Sequence, residues 1–410
     1  MTATAPAPDP IDGLLTPEAV RTRCGKVLQA GLAGGLPWFR LDLAKMPDAA
    51  SRVVDEIETN YPDLNVPFHS RWRHFELGGS DLWAAMAAEH SLTGDRLAAA
   101  AGDLAIVSVL LDAGAGPDWM FKDAATGLRL GRSEGLALAS IRLFEAGALS
   151  NDENDPLRAD ATALTSLTAE TLGDAFQVSA DNPLIGLAQR AGLLRKLGEA
   201  IQNHPALYRR DGDVRPGNLI RSLAARSRLP ARDILIAILT SLMEIWPSPV
   251  RIEGRPLGDV GRHGALVGAD ASSGIVPFHK LSQWLSYSLI EPLQRSGTTV
   301  SDLDGLTGLA EYRNGGLFVD TGVLTLKDPS ALTAAHAPES ELIVEWRALT
   351  VALLDRLADD VRTRLDRSAH DLPLASILQG GTWSAGRKIA AELRPDGGPP
   401  IRLDSDATVF

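Results

Sequence analysis

The longest helical pattern in the chain is SELIVEWRALTVALLDRLADDVRTRL, at residues 340–365. Its large apolar residues recur every three to four positions, which is the period of an α-helix that buries one face. The inward face carries Leu342, Trp346, Leu349, Leu353, Leu357 and Val361. A helix of this length constrains the fold strongly, because several other elements must cover its apolar face.

Further helical stripes predict a mainly α fold with minor short strands. They cover residues 97–111, 187–201, 234–246 and 278–289. We expect Gly114 and Gly116 to end the first of these helices as a glycine C-cap, and Pro292 to end the last. Alternating strand patterns are few and short, at residues 316–326 and in PPIRL near the C-terminus.

The stretch at residues 247–277 is rich in glycine, arginine and proline and has almost no pattern. Long loops of this kind inside compact chains are usually functional or disordered. Nothing in the sequence marks a domain boundary. We therefore expect residues 1–10 to form a disordered lead and residues 11–410 to form one large helical domain, either undivided or built of two lobes around a cleft.

Composition excludes several classes of function. The 40 Lys and Arg residues against 52 Asp and Glu residues give a net charge of −12, which opposes binding to nucleic-acid polymers and to anionic lipid. No apolar run reaches the roughly 18 residues of a membrane span. With one cysteine, Cys24, and no secretory leader pattern, the sequence indicates a cytoplasmic protein. The histidines lack metal-ligand spacing, so we expect no metal, and we expect no cofactor.

One motif combines aromatic and basic side chains, VPFHSRWRHFELGG. Phe68 and Trp72 favour burial, whereas Arg71 and Arg73 are rarely buried without a partner. The motif therefore predicts the wall of a polar pocket, with His69 and the arginines facing its ligand. The alternative is a surface turn whose arginines pair with nearby carboxylates.

A second motif, LTGLAEYRNGGLFVD, places Glu311, Arg313 and Asn314 directly before Gly315 and Gly316. A carboxylate, a guanidinium and an amide can together hold a polyhydroxylated ligand, and paired glycines let backbone approach a ligand closely. A salt-bridged turn is the alternative.

Two helix starts carry polar residues as well. GRSEGLALAS places Arg132 and Ser133 at a predicted helix N-terminus, where capping by Ser133 is the simplest role. GTWSAGRKIAAELRP places Trp383 beside Arg387, either as a phosphate contact or as the solvated face of a short helix.

LLDAGAGPDW contains Asp112 and is like a glycine-rich phosphate loop, but it ends a helix instead of opening one, so a tight turn is the alternative.

Several tryptophans lie beside polar motif residues, which suits a site that stacks a planar group. They are Trp72, Trp119, Trp284 and Trp383.

The motifs together resemble the uracil-catabolism protein family of fungi and bacteria, of the Urc4/urg3 type. The matching stretches, in order, are VPFHSRWRHFELGG, DLAIVSVLLDAGAG, RSEGLALAS, VPFHKLSQWLSYSLIEPL, LTGLAEYRNGGLFVD, VEWRALTVALLD, GTWSAGRKIA and SDATVF. The resemblance covers nearly the whole chain from about Ile11 onward.

A weaker resemblance concerns the queuosine-salvage N-glycosylases, helical proteins that hydrolyse a nucleotide's base-to-sugar bond. Lys280 and Gln283 stand where that family has a Lys-Arg-Ala-Gln run, and Glu311 begins the counterpart of its Asp-Tyr-Arg. Asp259 is the best match to its catalytic aspartate. This resemblance implies a helical fold like that of the queuosine-salvage proteins and DNA glycosylases.

The first resemblance implies a route that opens the pyrimidine ring while the base is still attached to ribose. The product carries a ureido group on the anomeric carbon, and its C–N bond must be hydrolysed before urea can be used. The two resemblances therefore imply a metal-independent N-glycosyl hydrolase that acts on N-ribosylurea or its 5′-phosphate, a small nucleoside or nucleotide derivative.

Glycosyl hydrolysis needs a carboxylate beside the anomeric carbon and a second group that activates water or protonates the leaving nitrogen. By resemblance we assign the catalytic roles to Asp259 and Glu311. The expected substrate-binding residues are His69, Arg71, Trp72, Arg73, Asp112, Arg132, Lys280, Gln283, Arg313, Asn314 and Trp383. We expect the segments that carry these residues to converge on one cleft.

Two alternatives stay open. One is an amidohydrolase that cuts the ureido chain, although the sequence has no metal cluster and no serine or cysteine nucleophile motif for it. The other is a non-catalytic protein that binds a pathway intermediate.

Overall fold

The computed structural model describes residues 9–112, 114–248 and 250–404. The predicted disordered lead lies outside these residues except for Asp9 and Pro10, and the terminal SDATVF lies outside them entirely. Helices dominate the described residues and the strands are short, so the fold is mainly α, as predicted. In the same residues, no helix combines the length and the apolarity that a bilayer crossing requires.

The α-helices range from single turns to the long helix expected at residues 340–365. They are α1 (Pro17–Leu32), α2 (Met46–Asn60), α3 (Leu82–Glu89), α4 (Gly94–Leu110), α5 (Arg132–Glu145), α6 (Ala161–Ser166), α7 (Ala169–Ala175), α8 (Leu187–Asn203), α9 (Pro205–Tyr208), α10 (Asn218–Leu223), α11 (Ala231–Leu242), α12 (Lys280–Arg295), α13 (Tyr312–Asp320), α14 (Glu341–Leu365), α15 (Leu374–Ile377) and α16 (Trp383–Leu393). A 3-10 helix covers Arg71–Phe75, and one π-helical stretch, Leu378–Thr382, leads directly into α16.

The strands form two-stranded pairs. They are β1 (Phe39–Leu41), β2 (Glu76–Leu77), β3 (Ser80–Asp81), β4 (Phe121–Lys122), β5 (Arg129–Leu130), β6 (Arg209–Arg210), β7 (Asp213–Val214), β8 (Arg228–Pro230), β9 (Arg251–Ile252), β10 (Arg255–Pro256), β11 (Val260–Arg262), β12 (Ile275–Pro277), β13 (Thr299–Ser301), β14 (Leu324–Leu326), β15 (Ala335–His336) and β16 (Arg402–Leu403). Pairs β8–β13 and β15–β16 are parallel, and the other pairs are antiparallel.

The chain divides into two compact units. Among the described residues, unit one comprises 9–68, 248–280 and 303–404, and unit two comprises 69–247 and 281–302. One helical domain at residues 11–410, either undivided or built of two lobes around a cleft, stays a prediction.

Unit one is built around α14, which packs against α1, α2 and α13. The approach of α13 to α14 is close at Gly315, where an added Cβ would lie 2.7 Å from Thr350 Oγ1 and 2.8 Å from the Trp346 ring. The indole N–H of Trp346 also donates to the Gly315 carbonyl at 3.1 Å. Gly315 therefore permits close packing of two helices, and our expectation that it serves the approach of a ligand was wrong.

Unit two is built around α4, whose residues from Ala99 to Leu110 are all buried. It packs against α5, α8 and α10. The helix ends at Leu110, with Leu111 as a right-handed C-cap, so the expected glycine C-cap was wrong. The structure also places Trp119 in the core, fully buried and stacked on Phe176 at 6.0 Å, and not at a stacking site.

Helix α12 continues past Pro292 to Arg295, so the expected end at the proline was wrong. Proline lacks the N–H that would donate to the carbonyl four residues earlier, that of Ser288. The Trp72 indole N–H donates to this carbonyl instead, at 2.7 Å. A tertiary hydrogen bond thus replaces the helical one.

In two places the structure contains local elements that the sequence pattern does not reveal. Residues 316–320 belong to α13, and only Leu324–Leu326 of the predicted strand is extended. The patternless stretch at 247–277 contains the antiparallel pairs β9–β10 and β11–β12. Pairs of two or three residues are too short for alternation to reveal them.

Candidate functional site

Asp259 lies in unit one between β10 and β11, and a turn of backbone folds around it. Its carbonyl accepts hydrogen bonds from the N–H groups of Phe278 and His279, each at 3.0 Å. Its carboxylate accepts a hydrogen bond from the Lys280 N–H, the first residue of α12, at 2.9 Å. The backbone of His279 is left-handed, with φ of 48°. Such strain is costly for a residue other than glycine and is concentrated at functional sites.

Arg347 of α14 fixes the Asp259 carboxylate. Its two terminal nitrogens donate to Asp259 Oδ1 and Oδ2, each at 2.8 Å, and the guanidinium lies 4.0 Å from the centre of the Phe278 ring. Both side chains are at most one-tenth exposed. Burial acts to raise the pKa of Asp259, but Arg347 and the Lys280 N–H outweigh it and hold this pKa below its ordinary value. Asp259 is therefore an ionised carboxylate in a fixed orientation.

Glu311 lies in the same unit and caps the N-terminus of α13. Its Oε2 accepts from the Arg313 N–H at 2.9 Å and its Oε1 from the Asn314 N–H at 2.6 Å. Burial raises the pKa of Glu311, although these hydrogen bonds and the charge of Lys280 act in the opposite direction. The two buried carboxylates thus have pKa values displaced in opposite directions, and Lys280 acts on both.

The other predicted residues of unit one surround the start of α13. The Arg313 guanidinium lies over the rings of Tyr312, at 5.1 Å, and Trp383, at 5.4 Å. The Asn314 side chain donates to the Leu309 carbonyl at 3.2 Å and accepts from Thr382 at 2.8 Å. The polar atoms of Asn314 are therefore engaged in holding α13 to its neighbours, and a direct substrate contact by Asn314 stays a prediction.

Trp383 also lines a surface cleft of about 660 Å³ in unit one. The residues that line it are Glu56, Asn60, Tyr61, Gln379, Trp383, Ser384, Arg387, Lys388 and Ala391. Lys388 pairs with Glu56 at 2.7 Å, and the Arg387 guanidinium lies 5.5 Å from the centre of the Trp383 ring. The cleft therefore offers an aromatic face beside basic and amide groups.

In unit two, Arg71 is fully buried and held from several sides. Its Nε donates to Ser108 at 2.7 Å, its Nη1 donates to the Ser133 carbonyl at 3.2 Å, and Nη1 also lies 2.9 Å from Asp112 Oδ1. Helix α5 is capped by Gly131 without a side-chain bond, so the expected capping role of Ser133 was wrong. The Ser133 hydroxyl instead lies 3.4 Å from Asp112 Oδ2.

Arg73 and Trp72 have partners within unit two. Arg73 forms ion pairs with Glu291 at 2.7 Å and with Glu76 at 3.0 Å. Trp72 is 2% exposed and packs edge-on against Phe75 and Trp83, each at 5.6 Å between ring centres. The arginine pairing follows the alternative that we considered for this motif, and the burial of Trp72 makes it part of the core.

The remaining predicted residues of unit two differ in exposure. Gln283 is fully buried on the first turn of α12, whereas Arg132 is exposed at the start of α5 with φ of 53°. His69 is half-buried, with its ring centre 6.2 Å from that of Trp284. The roles assigned to these residues in substrate binding stay predictions, as does the convergence of all motif segments on one cleft.

Among the described residues, no three His, Cys, Asp or Glu side chains are arranged to hold a metal ion. The carboxylates of the site are instead engaged by guanidinium and backbone N–H groups. Metal independence of the reaction stays a prediction.

Comparison with known proteins identifies the family. The model of the family described as "Protein of unknown function (DUF1688)" matches residues 13–410. The chain belongs to this family.

Two curated relatives match along nearly their whole length. "Protein urg3" of Schizosaccharomyces pombe is 39% identical over 409 residues, which cover 97% of this chain and 98% of the relative. "Uracil catabolism protein 4" of Lachancea kluyveri is 39% identical over 412 residues, covering 91% of this chain and 92% of the relative. The resemblance to the uracil-catabolism proteins is confirmed, whereas the resemblance to the queuosine-salvage enzymes stays a prediction.

Sequence reasoning missed Arg347 and His279 in this member of the family. Arg347 directly follows the inward Trp346 in the buried first half of α14, and a buried arginine needs a carboxylate partner. That pattern could have indicated a pair, but the partner Asp259 is 88 residues away in the chain. The left-handed backbone of His279 has no counterpart in composition or periodicity.

Proposed function

We propose that this protein acts in the catabolism of uracil and hydrolyses the N-glycosidic bond of N-ribosylurea or of its 5′-phosphate. The products are urea and ribose or ribose 5-phosphate. The observation that carries the proposal is the unlike surroundings of two buried carboxylates: the Arg347 guanidinium and the Lys280 N–H hold Asp259 ionised, whereas Glu311 caps α13 and burial raises its pKa. Titratable groups with pKa values pushed apart are a mark of paired acid and base roles. The names of the two relatives support the pathway.

Asp259 suits the role of the ionised partner. Cleavage of the C–N bond passes through a state in which the sugar ring gains positive charge, so a fixed carboxylate beside the anomeric carbon stabilises it. Arg347 keeps Asp259 ionised and oriented before the substrate binds. The same carboxylate activates the attacking water by accepting its proton.

Glu311 suits the role of the partner that carries a proton. Its raised pKa keeps a larger fraction of the carboxyl group protonated than an exposed glutamate would show. In this state it protonates the leaving nitrogen or donates to a sugar hydroxyl. Lys280 acts on both groups, because its N–H binds Asp259 and its charge partly opposes the effect of burial on the pKa of Glu311.

Two further residues of unit one contribute to the proposed site. Trp383 provides an aromatic face for the sugar, and Arg313 provides donors for its hydroxyl groups. The proposal includes the helical fold of the queuosine-salvage and DNA glycosylases, which the second resemblance implies. It requires neither a metal nor an organic cofactor, because acid and base are both side chains.

The test uses synthetic N-ribosylurea and its 5′-phosphate as separate substrates, with reducing sugar, urea and ammonium measured together over time. The proposal predicts urea and reducing sugar in equal amounts and no ammonium. Ammonium without urea would indicate an amidohydrolase acting on the ureido chain. Saturable binding without turnover would indicate a binding protein, and either result would contradict the proposal.

A further inference from the structure

Trp284 of α12 is the centre of a group of polar side chains in unit two. It is 6% exposed. The Arg71 guanidinium lies 5.7 Å from the centre of its ring, and the His69 and His74 rings lie 6.2 Å and 6.1 Å from it. We call Arg71, His74, Asp112 and Trp284 the Trp284 cluster.

Several polar atoms of the Trp284 cluster are buried without a hydrogen-bond partner in the described part of the chain. They are Nη2 of Arg71, Nε1 of Trp284 and Nδ1 of His74. Asp112 Oδ1 lies 2.9 Å from Arg71 Nη1 as an ion pair, and a carboxylate oxygen has two lone pairs, so it keeps capacity to accept a further hydrogen bond. Native proteins satisfy nearly all buried polar atoms, and a group of exceptions in one place indicates an occupant.

The cluster is rigid before any occupant arrives. The other nitrogens of Arg71 are held by Ser108 and by the Ser133 carbonyl. Ser108 is in turn held by Ser140 at 2.6 Å. Nη2 of Arg71 therefore presents its hydrogens in one direction, which is the preorganisation that a specific site requires.

The charges around the cluster are balanced. The cations Arg71 and Arg190 act on one another and on Asp112, and Glu134 acts on Arg71 and His74. Burial and the charge of Arg71 lower the pKa of His74 to about 3, so His74 is a neutral ring at physiological pH. A buried phosphate would add negative charge to a cluster whose described cations, Arg71 and Arg190, already interact with the carboxylate of Asp112.

A neutral planar group with a carbonyl oxygen and adjacent N–H groups matches these atoms. The oxygen would accept from Arg71 Nη2 and from the Trp284 indole N–H. The N–H groups would donate to Asp112 Oδ1 or to Nδ1 of the neutral His74.

We propose that the Trp284 cluster binds a neutral urea-type group and does not bind phosphate. The choice of a ureido group over another amide rests on the proposed function, whereas the preference for a neutral group over an anion rests on the cluster alone.

The test follows the indole N–H resonances of ¹⁵N-tryptophan-labelled full-length protein during titration with N-methylurea, N-ribosylurea or inorganic phosphate. The Trp284→Phe variant assigns its resonance and keeps an aromatic ring in place. Trp119, whose indole donates to the Phe176 carbonyl at 3.0 Å in the core, is the internal control. We expect both urea compounds to shift the indole N–H resonance of Trp284 and to leave that of Trp119 unchanged. We also expect Trp284→Phe to weaken N-ribosylurea binding about tenfold, because one buried hydrogen bond is lost.

If phosphate shifts the Trp284 indole resonance and the urea compounds do not, the proposal is overturned in favour of an anion site. No shift with any of these compounds would mean that the cluster holds only water, and would overturn it as well. Titration of Asp259→Asn with N-ribosylurea separates this inference from the proposed function. If the wild-type protein binds N-ribosylurea but releases no urea, the proposed hydrolysis is refuted and the proposed role of the Trp284 cluster stands.

Discussion

At the scale of single residues, Asp259 and Glu311 are both buried carboxylates, but they interact differently with their surroundings. Asp259 is ionised and fixed by a guanidinium, and Glu311 is a helix cap whose burial favours the protonated form. Substitution by the matching amide keeps the shape of each side chain and removes its charge or its proton. The two variants therefore separate a role in the transition state from a role in the ground state.

We predict that Asp259→Asn lowers the single-turnover rate on N-ribosylurea by a factor of roughly a hundred or more while substrate affinity changes little, because its interaction develops mainly in the transition state. Glu311→Gln is expected to lower both affinity and rate, because its hydrogen bonds to the sugar also exist in the ground state. The measurements are single-turnover kinetics, ligand affinity and melting temperature.

The matched control for this pair is Asp320→Asn. Asp320 forms a comparable fork with Arg394 in unit one, at 2.8 and 2.6 Å, and takes no part in the proposed site. The Asp320→Asn substitution should lower the melting temperature without lowering the single-turnover rate of the folded protein. If Asp259→Asn behaves in the same way, Asp259 is a structural residue and its catalytic assignment is wrong.

The lowered pKa of Asp259 predicts a pH-dependent contribution to stability. The ionised carboxylate stabilises the fold fully above the unfolded-state pKa of about 4, and this stability is lost as the pH falls through the lower folded-state pKa. The difference in unfolding free energy between the wild type and Asp259→Asn should therefore shrink as the pH falls from about 5 towards about 3. Thermal denaturation followed by calorimetry at several pH values measures this difference, and a constant difference would show that Asp259 is not preferentially ionised in the folded state.

At the scale of elements, α12 shows how a distant side chain decides a local structure. Its proline leaves the Ser288 carbonyl without a helical donor, and Trp72 provides one from 216 residues away. Sequence rules that read only neighbouring residues end the helix at Pro292, because the compensating donor is invisible to them.

A double-mutant cycle tests this account of α12. Trp72→Phe should destabilise the protein by about 1–3 kcal/mol in the presence of Pro292, because it leaves a buried carbonyl unsatisfied. With Pro292→Ala the helix supplies its own N–H to this carbonyl, so the same Trp72 substitution should cost less. Free energies of unfolding for the four proteins give the coupling, and equal costs in both backgrounds would disprove the compensation.

Helices with strong periodicity were predictable, whereas the contacts that define the site were only partly so. Helices α8 and α14 match their predicted stripes because burial of one apolar face is encoded in adjacent residues. Glu311 was singled out from its motif and Asp259 by resemblance, and the catalytic roles of both stay predictions. Arg347 was not found, because its function depends on a partner that only the folded chain brings close.

At the scale of the whole molecule, the chain carries a net charge of −12 and yet buries several arginines beside carboxylates. Burying such pairs costs desolvation, so their retention is better explained by positioning than by stability. Each unit holds such pairs: Asp259 with Arg347 in unit one, and Asp112 with Arg71 and Asp103 with Arg215 in unit two.

The central claim is that the bond between the sugar and the ureido nitrogen is the bond that breaks. The most direct measurement uses N-ribosylurea labelled with ¹³C at the ureido carbon, with the reaction followed by ¹³C NMR in the presence of a chelator. The account predicts that the substrate signal is replaced by that of intact ¹³C-urea, and that Asp259→Asn slows this replacement by a factor of roughly a hundred or more. Appearance of ¹³C-bicarbonate instead of urea, or no conversion by the wild-type protein, would contradict it.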